Sequence, residues 1–111
     1  MEKVERAHMR DTEFIKMLWL HDLADEPKII FYQVDLTEGR YVTRAIDVFA
    51  DGSKKNIDDF YKDVIEITEL PTVEEINQGI FGDEFSACYV QRKDFEAVWN
   101  TPVYQGAWTI A

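Results

Sequence analysis

Chemistry in a short chain needs a titratable or nucleophilic side chain held near a partner, and the segment His21-Asp22-Leu23-Ala24-Asp25-Glu26-Pro27 gathers an imidazole and three carboxylates. A metal site needs three or four such ligands converging on one ion. No H-x-x-x-H spacing and no cysteine pair supports these four. A hydrolase built on His21 with Asp22 or Asp25 would also need an activated nucleophile within reach of the base. Ser53 and Ser86 do not sit in a G-x-S-x-G elbow. Cys88, the single cysteine, lies in the segment F-S-A-C-Y-V-Q (85–91) and is expected to act as a small buried hydrophobe. No glycine-rich phosphate loop is present. Asp and Glu before a proline are turn material, because Asp bonds its own backbone and Pro27 presets the entry to the next strand. The preferred reading of the segment is therefore a polar turn, with no catalytic residue, no metal ligand and no cofactor assigned.

That turn must lie between strands. Phe14–Leu20 is apolar apart from Lys16 and has the length of a buried strand. Lys28–Leu36 is rich in β-branched and aromatic residues, as a second strand would be. Thr37–Arg40 contains Gly39 and makes a natural reversal. Tyr41–Ala50 alternates with period two, which places Val42, Arg44, Ile46 and Val48 on one face. Asp51-Gly52 is a hairpin signal that returns the chain as a fourth strand through Ser53–Ile57. Residues 58–71 fit two readings: Phe60, Val64 and Ile67 match a helical face, and the preferred alternative is an irregular acidic connection ending in a short strand at Val64–Thr68. Thr72 followed by Glu75 fits a capping box, and Gly79 fits the stop of that helix. Arg92–Asn100 reads as a second helix, with Phe95, Val98 and Trp99 spaced to dock on a sheet. The tail after Pro102 is expected to add an edge strand or to pack on the core. The sum is an α+β fold: a small antiparallel sheet of four to five strands packed by two short helices in the C-terminal half. Trp19, Phe31, Ile46, Val48, Phe95, Val98 and Trp99 are expected in its core.

Composition narrows function more than any single motif does. The 111 residues fit one domain, with residues 1–12 read as an N-terminal extension and 101–111 as a tail. One cysteine, no apolar run of membrane-spanning length and no apolar stretch near the N-terminus point to a cytoplasmic protein. There are 22 acids against 12 bases, a net charge of −10. Residues 57–90 hold nine of those acids (Asp58, Asp59, Asp63, Glu66, Glu69, Glu74, Glu75, Asp83 and Glu84) and a single base, Lys62. Such a surface repels nucleic acid and anionic membranes and attracts cationic partners.

The motifs W-L-H-D-L-A-D-E-P (19–27), Y-V-T-R-A-I-D-V-F-A-D-G (41–52), L-P-T-V-E-E-I (70–76) and D-F-E-A-V-W (94–99) resemble, in order and spacing, a bacterial single-domain family of unknown function. The resemblance covers about residues 14–100. It implies a small α+β domain in which Trp19, His21, Arg44, Phe95 and Trp99 are framework residues. Gln91 stands where a serine cap would be usual. The physical profile (small, acidic, without catalytic apparatus) also resembles the immunity proteins of contact-dependent growth inhibition systems. It leads to the expectation of an antitoxin-like inhibitor, not an enzyme, that blocks a basic toxin domain such as a nuclease with the acids of residues 57–90. The competing readings are a ligand-sensing or housekeeping module and a small hydrolase using His21.

Overall fold

A computed structural model describes residues 11–58 and 69–110. Five strands, β1 (Thr12–Trp19), β2 (Ile29–Asp35), β3 (Tyr41–Val48), β4 (Lys54–Ile57) and β5 (Phe85–Val90), form one antiparallel sheet in the order β4-β3-β2-β1-β5. Two short helices, α1 (Val73–Asn77) and α2 (Arg92–Trp99), lie in the C-terminal half. This is the expected α+β arrangement.

Both faces of the sheet are covered, which explains why β1 reads as a nearly continuous apolar run instead of an alternating one. Along β1, Phe14 belongs to one core cluster and Ile15 and Met17 to the other. The first cluster joins Phe14, Ile29, Phe31, Ile46 and Val48 to Phe95 of α2 and to Tyr104 of the tail. The second joins Ile15, Met17, Val34 and Ala87 to Leu70 and to Val73 and Ile76 of α1.

The expected face of β3 holds for Arg44, Ile46 and Val48 but not for Val42. Gln33 pairs with Arg44 while Val34 pairs with Val42, so Thr43 is left over as a bulge. One extra residue reverses the alternation beyond it, and Val42 packs with the second cluster. The Asp51-Gly52 turn forms as read. Gly52 has φ of 89°, and an added Cβ would lie 3.2 Å from Val103 Cγ1, so both conformation and space require glycine there. The Gly52 carbonyl accepts from Tyr104 N–H at 2.8 Å, tying the tail to the hairpin.

Three details add to or differ from the sequence reading. β5, which was not recognised as a strand, takes the sheet edge beside β1, and of the two courses expected for the tail it takes the second, packing on the core over the first face. Lys16 is 92% buried, with 8% of its surface exposed. Its ammonium donates to the carbonyls of Ala107 at 2.8 Å and Thr109 at 2.9 Å. Finally, Phe31, Ile46, Val48 and Phe95 are buried as expected, but Trp19, Val98 and Trp99 are only half-buried. Trp19 is the last residue of β1, and Val98 and Trp99 close a helix of eight residues, so each meets the core from its margin. The short strand expected at Val64–Thr68 lies outside the described residues.

Candidate interaction surface

His21 is held by its own turn. Nε2 lies 2.8 Å from the Pro27 carbonyl and Nδ1 lies 2.9 Å from the Leu23 amide. The amide donates, so Nδ1 accepts and Nε2 carries the proton. The imidazole packs on Trp19 with centroids 4.1 Å apart. The Lys28 ammonium donates to the His21 carbonyl. Both ring nitrogens are thus occupied by backbone groups, which is how a turn of this length is stapled. Among the described residues no group of three or more His, Cys, Asp or Glu side chains is placed to hold a metal ion.

Of the nine acids singled out in the sequence, Asp59, Asp63 and Glu66 lie outside the described residues. The other six are exposed and occupy three places. Asp58 follows β4 at one sheet edge. Glu69 bridges to Tyr41 at the start of β3, and Glu74 and Glu75 open α1 at that same end of the sheet. Glu74 accepts from the Tyr89 hydroxyl at 3.4 Å. Asp83 and Glu84 lie at the opposite end, before β5, where the Glu84 carbonyl accepts from Leu20 N–H at 2.9 Å. Glu75 also has structural work. Its carboxylate accepts from Thr72 N–H at 2.9 Å while its own N–H donates to the Thr72 hydroxyl at 3.1 Å. The backbone bond from Thr72, then the hydroxyl bond, hold the Glu75 carboxyl below its ordinary value.

The cations are distributed differently, and the sequence alone did not reveal it. Lys16 and Lys28 donate to carbonyls, and Lys54 bonds Asn56 and the Trp99 carbonyl. Arg40 pairs with Glu13 at 3.0 Å and donates to the Leu70 carbonyl at 2.9 Å. Arg44 forks onto the Glu96 carboxylate, donates to Gln33 Oε1 at 2.6 Å, and lies 4.7 Å from the ring centroids of both Phe95 and Trp99. Twelve described acids are exposed: Asp22, Asp25, Glu26, Glu38, Asp51, Asp58, Glu69, Glu74, Glu75, Asp83, Glu84 and Asp94. Only three described bases are exposed: Lys55, Arg92 and Lys93. Among the described residues the solvent-facing charge is more one-sided than their acids and bases alone imply.

A groove of about 400 Å³ beside β5 is lined by Lys16, Cys88, Gln91, Asp94 and Thr109. Its amine is consumed by two carbonyls, and burial pushes the half-buried Cys88 thiol above its usual value against the opposing pull of Lys16. It therefore offers neither a free cation nor a thiolate.

The end of the sheet where β1 finishes and β5 begins is apolar. His21 packs on Trp19, Trp19 stacks on Phe85 with centroids 5.3 Å apart, and Phe85 meets Phe81 edge-on at 5.6 Å. Phe81 and its neighbour Ile80 remain 45% and 57% exposed. Sequence reasoning missed these two. The available signal was an apolar pair placed between Gly79 and Gly82, in a turn where burial is not expected.

The model of a domain of unknown function, DUF6881, matches residues 13–104. The chain belongs to this family. The match begins at the second residue of β1 and ends at Tyr104, so it takes in all five strands, both helices and the first tail residue to enter the core. No curated protein and no solved structure shows a significant match. Among the described residues no helix is long and apolar enough to cross a membrane.

Proposed function

We propose that this protein is an immunity-type inhibitor that binds and neutralises a cationic bacterial toxin domain, such as a nuclease, through its acidic surface. The carrying observation is the internal use of the cations: five basic side chains are spent on carbonyls and carboxylates of the fold, while twelve described acids face solvent. A nuclease must present positive charge to hold phosphate. A surface of opposite sign steers onto that charge and covers it, and fast association matters once a toxin is inside the cell. The stapled His21 and the occupied amine of Lys16 fit a role in which binding, not turnover, is the activity.

The test is co-expression of the full chain with the polypeptide encoded immediately upstream. The proposal expects the chain to co-purify with a basic domain of that polypeptide and to protect cells that express the domain. A turnover that disappears in His21→Ala, without such a complex, would replace this reading with the hydrolase.

A further inference from the structure

The acidic surface described above is spread over several places, and long-range charge attracts a partner without fixing where it sits. The aromatic end of the sheet supplies what the charge lacks. We infer that the rings of Trp19, Phe85 and Phe81, together with Ile80, form the anchor site for a basic protein segment that inserts an apolar side chain between flanking lysines or arginines. This inference rests on the inhibitor reading for its biological setting but on separate observations for its location.

Two features carry it. The first is continuity: His21, Trp19, Phe85 and Phe81 touch in sequence, so the exposed Phe81 is the open end of a row of rings whose inner members are half-buried. A row fixed in this way loses little conformational entropy on binding, and aromatic residues in such settings supply most of an interface's energy. The Leu20 amide is bonded to the Glu84 carbonyl at 2.9 Å, which locks the two turns that carry the rings to each other.

The second is charge complementarity. Asp22, Asp25 and Glu26 follow His21 in one turn, and Asp83 and Glu84 precede Phe85 in the other; all five are exposed. The nearest cation in sequence, Lys28, has its ammonium on the His21 carbonyl. An apolar centre with an acidic border is matched by an apolar side chain with basic neighbours. A second copy of this chain would bring the same acids against each other, and an anionic membrane would be repelled.

The experiment uses the isotope-labelled full chain and two synthetic peptides of equal positive charge, one carrying leucine and tryptophan between its arginines and one carrying glycine and serine there. The inference expects the apolar peptide to move the backbone resonances of residues 19–26 and 80–85, and Phe81→Ser with Ile80→Ser to weaken it about tenfold or more, the effect of removing interface hot spots. Asp83→Lys with Glu84→Lys should weaken both peptides. Equal binding of the two peptides, resonance changes centred elsewhere, or self-association of the chain through Phe81 in sedimentation would each overturn it. The upstream-encoded domain separates the two levels. If that domain binds with unchanged affinity to the Phe81→Ser, Ile80→Ser variant, the anchor is misplaced and the inhibitor reading stands. If the apolar peptide seats at Phe81 but the domain does not bind, the anchor stands and the inhibitor reading falls.

Discussion

Two rows of aromatic rings in contact lie on opposite faces of one sheet, and they end differently. On the face under α2, Phe14 packs on Phe95 at 5.3 Å and Phe95 on Trp99 at 6.0 Å. The guanidinium of Arg44 then covers both helix rings and is itself held by Gln33 and Glu96. At the β1–β5 end of the other face, the row through Trp19 and Phe85 runs out to Phe81 with no such lid among the bonds of the described residues. The same side-chain chemistry is closed off where a satisfied cation covers it, and it stays open to solvent at Phe81, where no described cation does.

The contrast can be broken most forcefully at Phe95, which has no exposed surface. Phe95→Ala should cost about 3–5 kcal/mol in urea unfolding, the range for deleting a buried phenyl ring. A loss under about 1 kcal/mol, well below that range, would mean that the α2 face is not the main core. Arg44→Ala comes next. It uncovers two rings and strands the partners Gln33 and Glu96, and it should cost about 1–3 kcal/mol, discounted because the pair is partly open to solvent.

On the second face, Thr72→Ala removes the cap of α1 and should cost about 1 kcal/mol. The pH dependence of this cap has a definite sign. Glu75 is held below its ordinary value in the folded chain, so its contribution is present above that value and is lost as pH falls through the lower, folded one. Acid titration of α1 by NMR should show this loss in the native chain and a smaller one in Thr72→Ala. The smallest effect on stability belongs to Phe81→Ser, within about 0.5 kcal/mol of the native chain, as for ordinary surface changes. A much larger loss would make Phe81 part of the core and erase the difference between the two rows.

The elements that were legible in the sequence are those whose signals are local. The Thr72–Glu75 box, the Asp51-Gly52 turn and the Phe95–Trp99 spacing each depend on a few adjacent residues, and each formed. β5 was harder because Ser86, Ala87 and Cys88 are small, and their strand character comes from pairing with β1. The Thr43 bulge left no mark in a clean alternation, since it is set by how β2 meets β3. The candidate surface was least legible. The excess of acids could be counted, but the burial of Lys16 and the contact of Phe81 with Phe85 join residues far apart in the chain, and only the fold brings them together.

The most direct measurement of the inhibitor account is stopped-flow binding of the full chain to the basic domain encoded upstream, over a series of salt concentrations. Exposed charges are screened over about 8–10 Å near physiological salt. The account predicts that association slows markedly as salt rises while dissociation changes less, and that Asp83→Lys with Glu84→Lys slows association at low salt without unfolding the chain. An association rate that is the same at every salt concentration, and unchanged by the reversal, would contradict it.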